Sequence, residues 1–219
     1  MHSLRICPGI SHRGFADCAI ILDIRRDRYW KVDAGAAFAL DWITGRRSGP
    51  IDMGSLVRLE QLGLVDWRPA DEMDIHPREP AIPRRSAIEG DARLPGFDLL
   101  EAIEVACLVF AARRALRRHS LYSILWQVQA SRTVDISSGE SADLARRFDR
   151  YRRLVPLGNQ CLPDTLAFLR FSGRRGCFPT LIFGVEAWPF AAHCWAQSDD
   201  LVLNDVLDHA RAFSPILAI

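Results

Sequence analysis

Hydrophobic and polar positions follow two different rhythms along this chain. Near the start, residues 19–24 (AIILDI) and 28–33 (RYWKVD) are short β-rich runs across the polar turn Arg25-Arg26-Asp27, which predicts a hairpin. Residues 34–45 (AGAAFALDWITG) turn to a helix-favouring context, with Gly45 placed to end the helix in a left-handed residue. Asp52 is placed to cap a second helix, MGSLVRLEQLG, whose Leu56, Leu59 and Leu62 make one apolar stripe before Gly63 stops it. Residues 64–67 (LVDW) predict a short closing strand. From 68 to 96 the rhythm is lost, and Pro69, Pro77, Pro80, Pro83 and Pro95 fall in a charged stretch, as in a linker.

Helical spacing then takes over. Residues 98–118 (DLLEAIEVACLVFAARRALRR) hold no Gly or Pro; acidic groups lead and arginines close, which suits the helix dipole. Residues 121–130 and 142–154 predict two more helices, the second rich in arginine. A loop at 156–160 opens into a helix at Cys161, where Pro163 fits a first turn because its missing N–H would be unpaired there. FPTLIFGV, FAAHCWAQ and DLVLND follow as three strand-like runs, an antiparallel meander. The pattern as a whole is α+β in two domains, residues 1–80 and 97–219, joined by a proline-rich linker at 81–96.

Composition narrows the partners. The chain has 219 residues, half of them apolar and a quarter charged, which excludes disordered, collagen-like and coiled-coil classes. Net charge is +1, and residues 1–80 carry eleven basic against twelve acidic groups, so a DNA-binding regulator lacks its usual basic surface. The Arg-rich segments 113–118 and 146–153 read as solvated helix faces. No uncharged run approaches the ~20 residues that span a bilayer, and MHSLRICPGISHRG lacks the apolar stretch of a secretory signal, so neither membrane nor export is expected. A cytoplasmic setting follows, in which the six cysteines, none in a CxxC pair, are free, metal-bound or catalytic rather than bridged. A zinc site would show two spaced ligand pairs and a nucleotide site a phosphate loop; the sequence shows neither, so no metal or cofactor is expected.

Cys161 has the most chemical promise of the six. A cysteine at a helix start tends toward thiolate, and free N–H groups there can stabilise an oxyanion. His193, mid-strand, and Asp205, at the end of the next strand, can complete a nucleophile–base–orienter set. Strand parity puts His193 and Trp195 on one face and Cys194 and Ala196 on the other. Either Asp205 or Asn204 can orient the histidine, and the full charge of Asp205 favours it. Cys107 reads as core, as buried cysteines usually do.

In this order and spacing, QCLPDTLAFLRFSG, LIFGV, AHCW and LVLND resemble the leader peptidases (B proteins) of lasso-peptide biosynthesis, which have a transglutaminase-like cysteine-protease fold. Cys161, His193 and Asp205 match that family's catalytic triad. Cys194 stands where the family pattern expects a small residue such as Ala, and Pro163-Asp164 replace a frequent Arg or Ser. Papain-like enzymes hold an oxyanion Gln before the cysteine; the candidates here are Gln160 and Asn159. AIILDIRRDRYWKVDAGAAFALDWITG through LEQLGLVDW is similar to the PqqD-like recognition domain, a three-stranded sheet on a winged helix-turn-helix.

The resemblance implies that the first domain binds the leader of a ribosomally made precursor as an added strand. Tyr29, Trp30, Lys31 and Val32 would offer the edge, and Leu56 and Leu59 the groove. The second domain would cut leader from core and pass the core to an ATP-dependent macrolactam cyclase. Two other functions remain open at this stage: a non-catalytic peptide-delivery module, and a transglutaminase-like acyltransferase.

Overall fold

The computed structural model describes residues 3–68, 79–90, 96–131 and 138–219; Pro69, Pro77 and Pro95 of the expected linker lie outside them. The chain divides into two compact units, Met1–Pro77 and Arg78–Ile219.

In the first unit, β2 (Ile10–Gly14), β3 (Cys18–Asp23) and β4 (Arg28–Asp33) form an antiparallel three-stranded sheet with β3 at its centre. The β3–β4 hairpin turns through Asp27, which adopts φ +52, a left-handed value that aspartate tolerates better than most residues. β3 is buried at every position, as a central strand must be. Asp33 ends β4 and caps α1 (Ala34–Ile43), its carboxylate accepting from the Ala36 N–H. Asp52 caps α2 (Met53–Gln61) through Gly54 and Ser55. β1 (Ser3–Ile6) and β5 (Val65–Arg68) pair antiparallel as a separate ribbon. Ile21, Leu40, Leu59, Leu64 and Val65 are packed together in the core.

The packing corrects one expected site residue. Leu59 is completely buried in this core, because α2 turns Ser55 and Leu59 inward to cover Ile21 and Leu40. It cannot line a peptide groove. Leu56, Trp30 and Val32 are partly buried against the same core, while Met53 and Val57 form the exposed apolar side of α2.

The second unit is a mixed layer of helices and sheet. α3 (Leu99–Arg118), α4 (Leu121–Ala130), α5 (Ser138–Arg152) and α6 (Cys161–Gly173) precede β7 (Thr180–Ala187), β8 (Phe190–Ser198) and β9 (Leu201–Val202); α7 (Leu207–Ala212) and β10 (Ser214–Ala218) close the chain. β6 (Arg85–Ser86) completes a five-stranded sheet in the order β10-β7-β8-β9-β6. The expected meander is its centre, but the sheet is not wholly antiparallel, since β6 runs parallel to β9. The residues expected as linker therefore include part of this sheet. Arg84 and Arg85 donate backbone N–H groups to Asp200 O, and Ala81 O accepts from the Gln197 side chain.

Two further expectations are overturned. Cys107 is exposed, because α3 turns Val105, Leu108, Val109 and Ala112 to the core instead. The arginines are not merely solvated. Arg147 and Arg175 both bind the buried Glu101, Arg146 reaches Ala87 O, and Arg152 is itself buried. A guanidinium is tolerated there because fixed carboxylate and carbonyl oxygens match its fork of donors. Among the described residues no helix is long and apolar enough to cross a membrane.

Candidate active site

Three elements converge on one end of the sheet. Cys161 is the first residue of α6, with Gln160 as N-cap. Gln160 makes no side-chain cap; its backbone N–H instead donates to Asp164 Oδ2 at 3.0 Å, a carboxylate one turn into the helix reaching back to its start. The other carboxylate oxygen of Asp164 accepts from Arg152 Nε at 2.8 Å. Arg152 also donates to Leu157 O and Gly158 O, both at 3.1 Å, and Arg113 donates to Gly158 O as well. The loop that delivers Cys161 is thus pinned by side chains of α3, α5 and α6.

His193 lies on β8 opposite Gly184 of β7. Its Nε2 is 2.5 Å from Asp205 Oδ2, which leaves Nδ1 as the nitrogen free for a thiol. The ring is framed by Trp195 and Phe213, with centroids 6.0 and 5.2 Å away. Gly184 makes room for that frame: a Cβ there would stand 2.7 Å from both Phe213 Cβ and Trp195 Cζ3. Gly184→Ala is expected to cost about 1–3 kcal/mol by overpacking. Thermal unfolding checks this, and an unchanged melting temperature would mean that both aromatics yield freely.

Asp205 sits beyond the two-residue β9, so strand parity does not extend to it. It is placed by local bonds and by the strap at 84–90. Ser86 Oγ donates to Asp205 O at 2.7 Å, the Val206 N–H donates to Asp205 Oδ1 at 2.8 Å, and Glu89 Oε2 accepts from the Leu207 N–H at the start of α7. Asn204 takes a different task. Its Oδ1 accepts from the Ala196 N–H at 2.7 Å and its Nδ2 donates to Thr165 Oγ1 at 2.8 Å, tying β8 to α6 one turn after Cys161. Gln160 and Asn159 are exposed beside Cys161.

One participant was missed in the sequence. His209 of α7 brings Nδ1 to 2.8 Å from the same Asp205 Oδ2, and its ring centroid is 4.4 Å from that of His193. The i,i+4 spacing of Asp205 and His209 was the available signal. One ligand atom from each of His193, Asp205 and His209 lies within 4.8 Å of the others, a set that could hold a metal ion, though the hydrogen bonds to the shared oxygen already account for its geometry.

The electrostatics favour an ion pair. Cys161 is exposed as a residue, but its sulfur accepts from the Cys194 thiol, and this is the largest influence drawing its pKa down from 9.0 to about 4. Partial burial opposes the shift, while His193 and the Cys194 N–H add to it. Burial also opposes charge on His193, yet Asp205 and the Cys161 thiolate raise it from 6.5 to about 9. Burial acts against ionised Asp205 too, and His193 and His209 hold its pKa below the usual carboxylate value.

These signs set a pH window. Thiolate persists until pH falls to about 4, and imidazolium until pH rises to about 9, the two values belonging to the pair. Iodoacetamide alkylation of Cys161 should therefore be nearly flat from about pH 5.5 to about 8. An unassisted thiol would instead gain about tenfold in rate per pH unit there, and that slope in a rate-versus-pH series would refute the ion pair.

Residues 105–218 match the transglutaminase-like superfamily. The chain belongs to that superfamily. Its members are typically cysteine-based enzymes, and the matched region contains Cys161, His193 and Asp205. No curated protein and no solved structure matches the chain. In this transglutaminase-like domain, a cavity of about 590 Å³ lies between α4 and the far end of α6, lined by Val128, Leu169 and Phe178 and away from the Cys161 end of that helix.

Proposed function

We propose that the chain is a cysteine peptidase that binds the leader of a ribosomally made lasso precursor and cleaves it from the core. The observation that carries the peptidase reading is the coupling of a helix-start thiolate, Cys161, to His193 and through it to Asp205. In this mechanism the Cys161 thiolate attacks the scissile carbonyl. The first-turn N–H groups of Cys161 and Leu162 face the developing oxyanion, and the exposed Gln160 and Asn159 side chains are within the same stretch. His193 gives its proton to the leaving amine, which departs as the new core terminus. Neutral His193 then takes a proton from water, which opens the thioester. Asp205 keeps the imidazole oriented throughout.

Leader capture is assigned to the first unit by its edge strand. β4 is the last strand in the order β2-β3-β4, and the proposed leader strand runs beside it along Tyr29, Trp30, Lys31 and Val32. The partly buried Trp30 packs against the core beneath that edge. Leu56, with Met53 and Val57 of α2, supplies the apolar flank in place of the buried Leu59. A PqqD-like recognition role fits these features, as does hand-over of the released core to an ATP-dependent macrolactam cyclase. The chain is proposed to act in the cytoplasm.

The test is cleavage of a short precursor encoded beside this chain, followed by mass spectrometry. One cut at the leader–core junction supports the reading. An intact precursor that still binds would point to a delivery module. Products joined to an added primary amine, with little hydrolysis, would point to the acyltransferase.

A further inference from the structure

Cys194 is unusual in this site. It follows the base histidine directly, where the resemblance expects a small residue, and it is buried to 2 % exposure on the β8 face that meets α6. Thr165 Oγ1, one helical turn after Cys161, is 4.0 Å from Cys194 Sγ and donates to Cys194 O at 3.4 Å. The Cys194 thiol therefore lies against the first turn of α6, and it donates a hydrogen bond to the Cys161 sulfur. Two free thiols, one exposed and one sheltered, thus lie beside one another at the start of α6.

We propose that Cys161 and Cys194 are an oxidative modification site, closing to a reversible disulfide when the protein meets a hydroperoxide. The consequence for cleavage rests on the peptidase reading; the bond itself does not. The chemistry runs in two balanced steps. The Cys161 thiolate attacks one peroxide oxygen, the O–O bond breaks, and the sulfur is oxidised to a sulfenic acid. The departing alkoxide or hydroxide takes a proton, with His193 as the nearby donor. Cys194 then gives up its proton and attacks the Cys161 sulfur; the S–S bond forms, the S–O bond breaks, and water leaves. Two thiols and one hydroperoxide become one disulfide, one alcohol (water in the case of hydrogen peroxide) and one water.

Burial puts the steps in that order. Cys194 is shielded, so an oxidant reaches Cys161 first. The adjacent Cys161 thiolate and burial both hold the Cys194 pKa well above its ordinary value, and conversion to an uncharged sulfenic acid removes the first of these. The order of the steps therefore rests on the shelter of Cys194 and the exposure of Cys161. The disulfide would spare Cys161 from the irreversible sulfinic acid.

Treating the full-length protein with a few equivalents of hydrogen peroxide, then mapping it under non-reducing conditions, tests the proposal. The expected result is a cross-linked peptide containing Cys161 and Cys194, the loss of two free thiols per chain, and full return of Cys161 alkylation after dithiothreitol. In Cys194→Ala the same treatment should yield sulfinic acid at Cys161 with no recovery. Cys107→Ser, which alters an exposed cysteine on α3, should behave as the wild type does. Sulfinic acid as the main wild-type product, a bridge from Cys161 to another cysteine, or an unreacted Cys161 would each overturn the proposal. The wild-type map decides this even if Cys194→Ala does not fold. A disulfide formed in a protein that shows no cleavage when reduced would reject the peptidase reading and leave this inference standing.

Discussion

Cys161→Ala is expected to lower peptide cleavage by about 10⁴-fold or more while leaving leader affinity unchanged. The size follows from how such groups work. Without the thiolate no thioester can form, and His193 and Asp205 then have no nucleophile to serve. What survives is whatever the oxyanion donors and substrate binding achieve alone, a small remnant in enzymes of this kind. The unchanged affinity follows from the division of the chain, because β4 belongs to Met1–Pro77 and Cys161 to Arg78–Ile219. Cys161 is exposed, but its thiolate is the partner of His193 and Cys194, so its truncation should move stability by about 0.5–3 kcal/mol. Cleavage kinetics, fluorescence anisotropy with a labelled leader and thermal unfolding give the three readouts. Cleavage retained within tenfold would place the nucleophile elsewhere. A parallel loss of leader binding would instead mean that the two units cooperate in capture.

The parts of this site that could be read in the sequence are those fixed by short-range chemistry. Pro163 two residues after Cys161 marks a helix start from steric and hydrogen-bond arguments alone, and α6 does begin at Cys161. The alternation around His193 marks a strand, and β8 carries it with Trp195 on the inward face. Asp33 and Asp52 cap helices because a carboxylate reaches N–H groups two or three residues on, and of these the sequence marked Asp52. Pairings between distant segments left no such trace. Ser86 bonds to Asp205 across more than a hundred residues, from a proline-rich stretch without periodicity, so a sheet strand read as linker. β9 is only two residues long, so the choice of Asp205 over Asn204 could not be made from parity; it depends on bonds made after the chain leaves the sheet. His209 went unnoticed because a six-residue helix shows too little pattern to be seen. Arginine was misread for a related reason: its charge predicts exposure, and only the tertiary fold reveals fixed oxygens that draw it inward.

Arg152 is the most consequential of those arginines. Its side chain is 8 % exposed and that of Asp164 is 14 % exposed, so their ion pair is largely sheltered from water. Removing the cation strands a carboxylate with its desolvation uncompensated, and such losses typically cost about 3–5 kcal/mol. Arg152→Ala should therefore forfeit about a third or more of a typical domain's stability and lower the unfolding temperature by roughly 10 °C. It also releases Leu157 O and Gly158 O, so the loop entering Cys161 loses part of its anchoring. Arg152→Lys keeps the charge but cannot reproduce the fork, which holds Asp164 through Nε and the two carbonyls through Nη2; an intermediate loss is expected. In Arg152→Ala with Asp164→Asn the stranded charge is gone, so the double variant should be more stable than Arg152→Ala alone. The Gln160 N–H would keep an acceptor in the carbonyl oxygen of the substituted amide side chain, which separates the cap from the ion pair. Thermal unfolding of the wild type and these three variants measures the coupling. A cost below about 1 kcal/mol for Arg152→Ala would show that water replaces the guanidinium freely, and the loop before Cys161 would then owe its shape to Arg113 and the backbone.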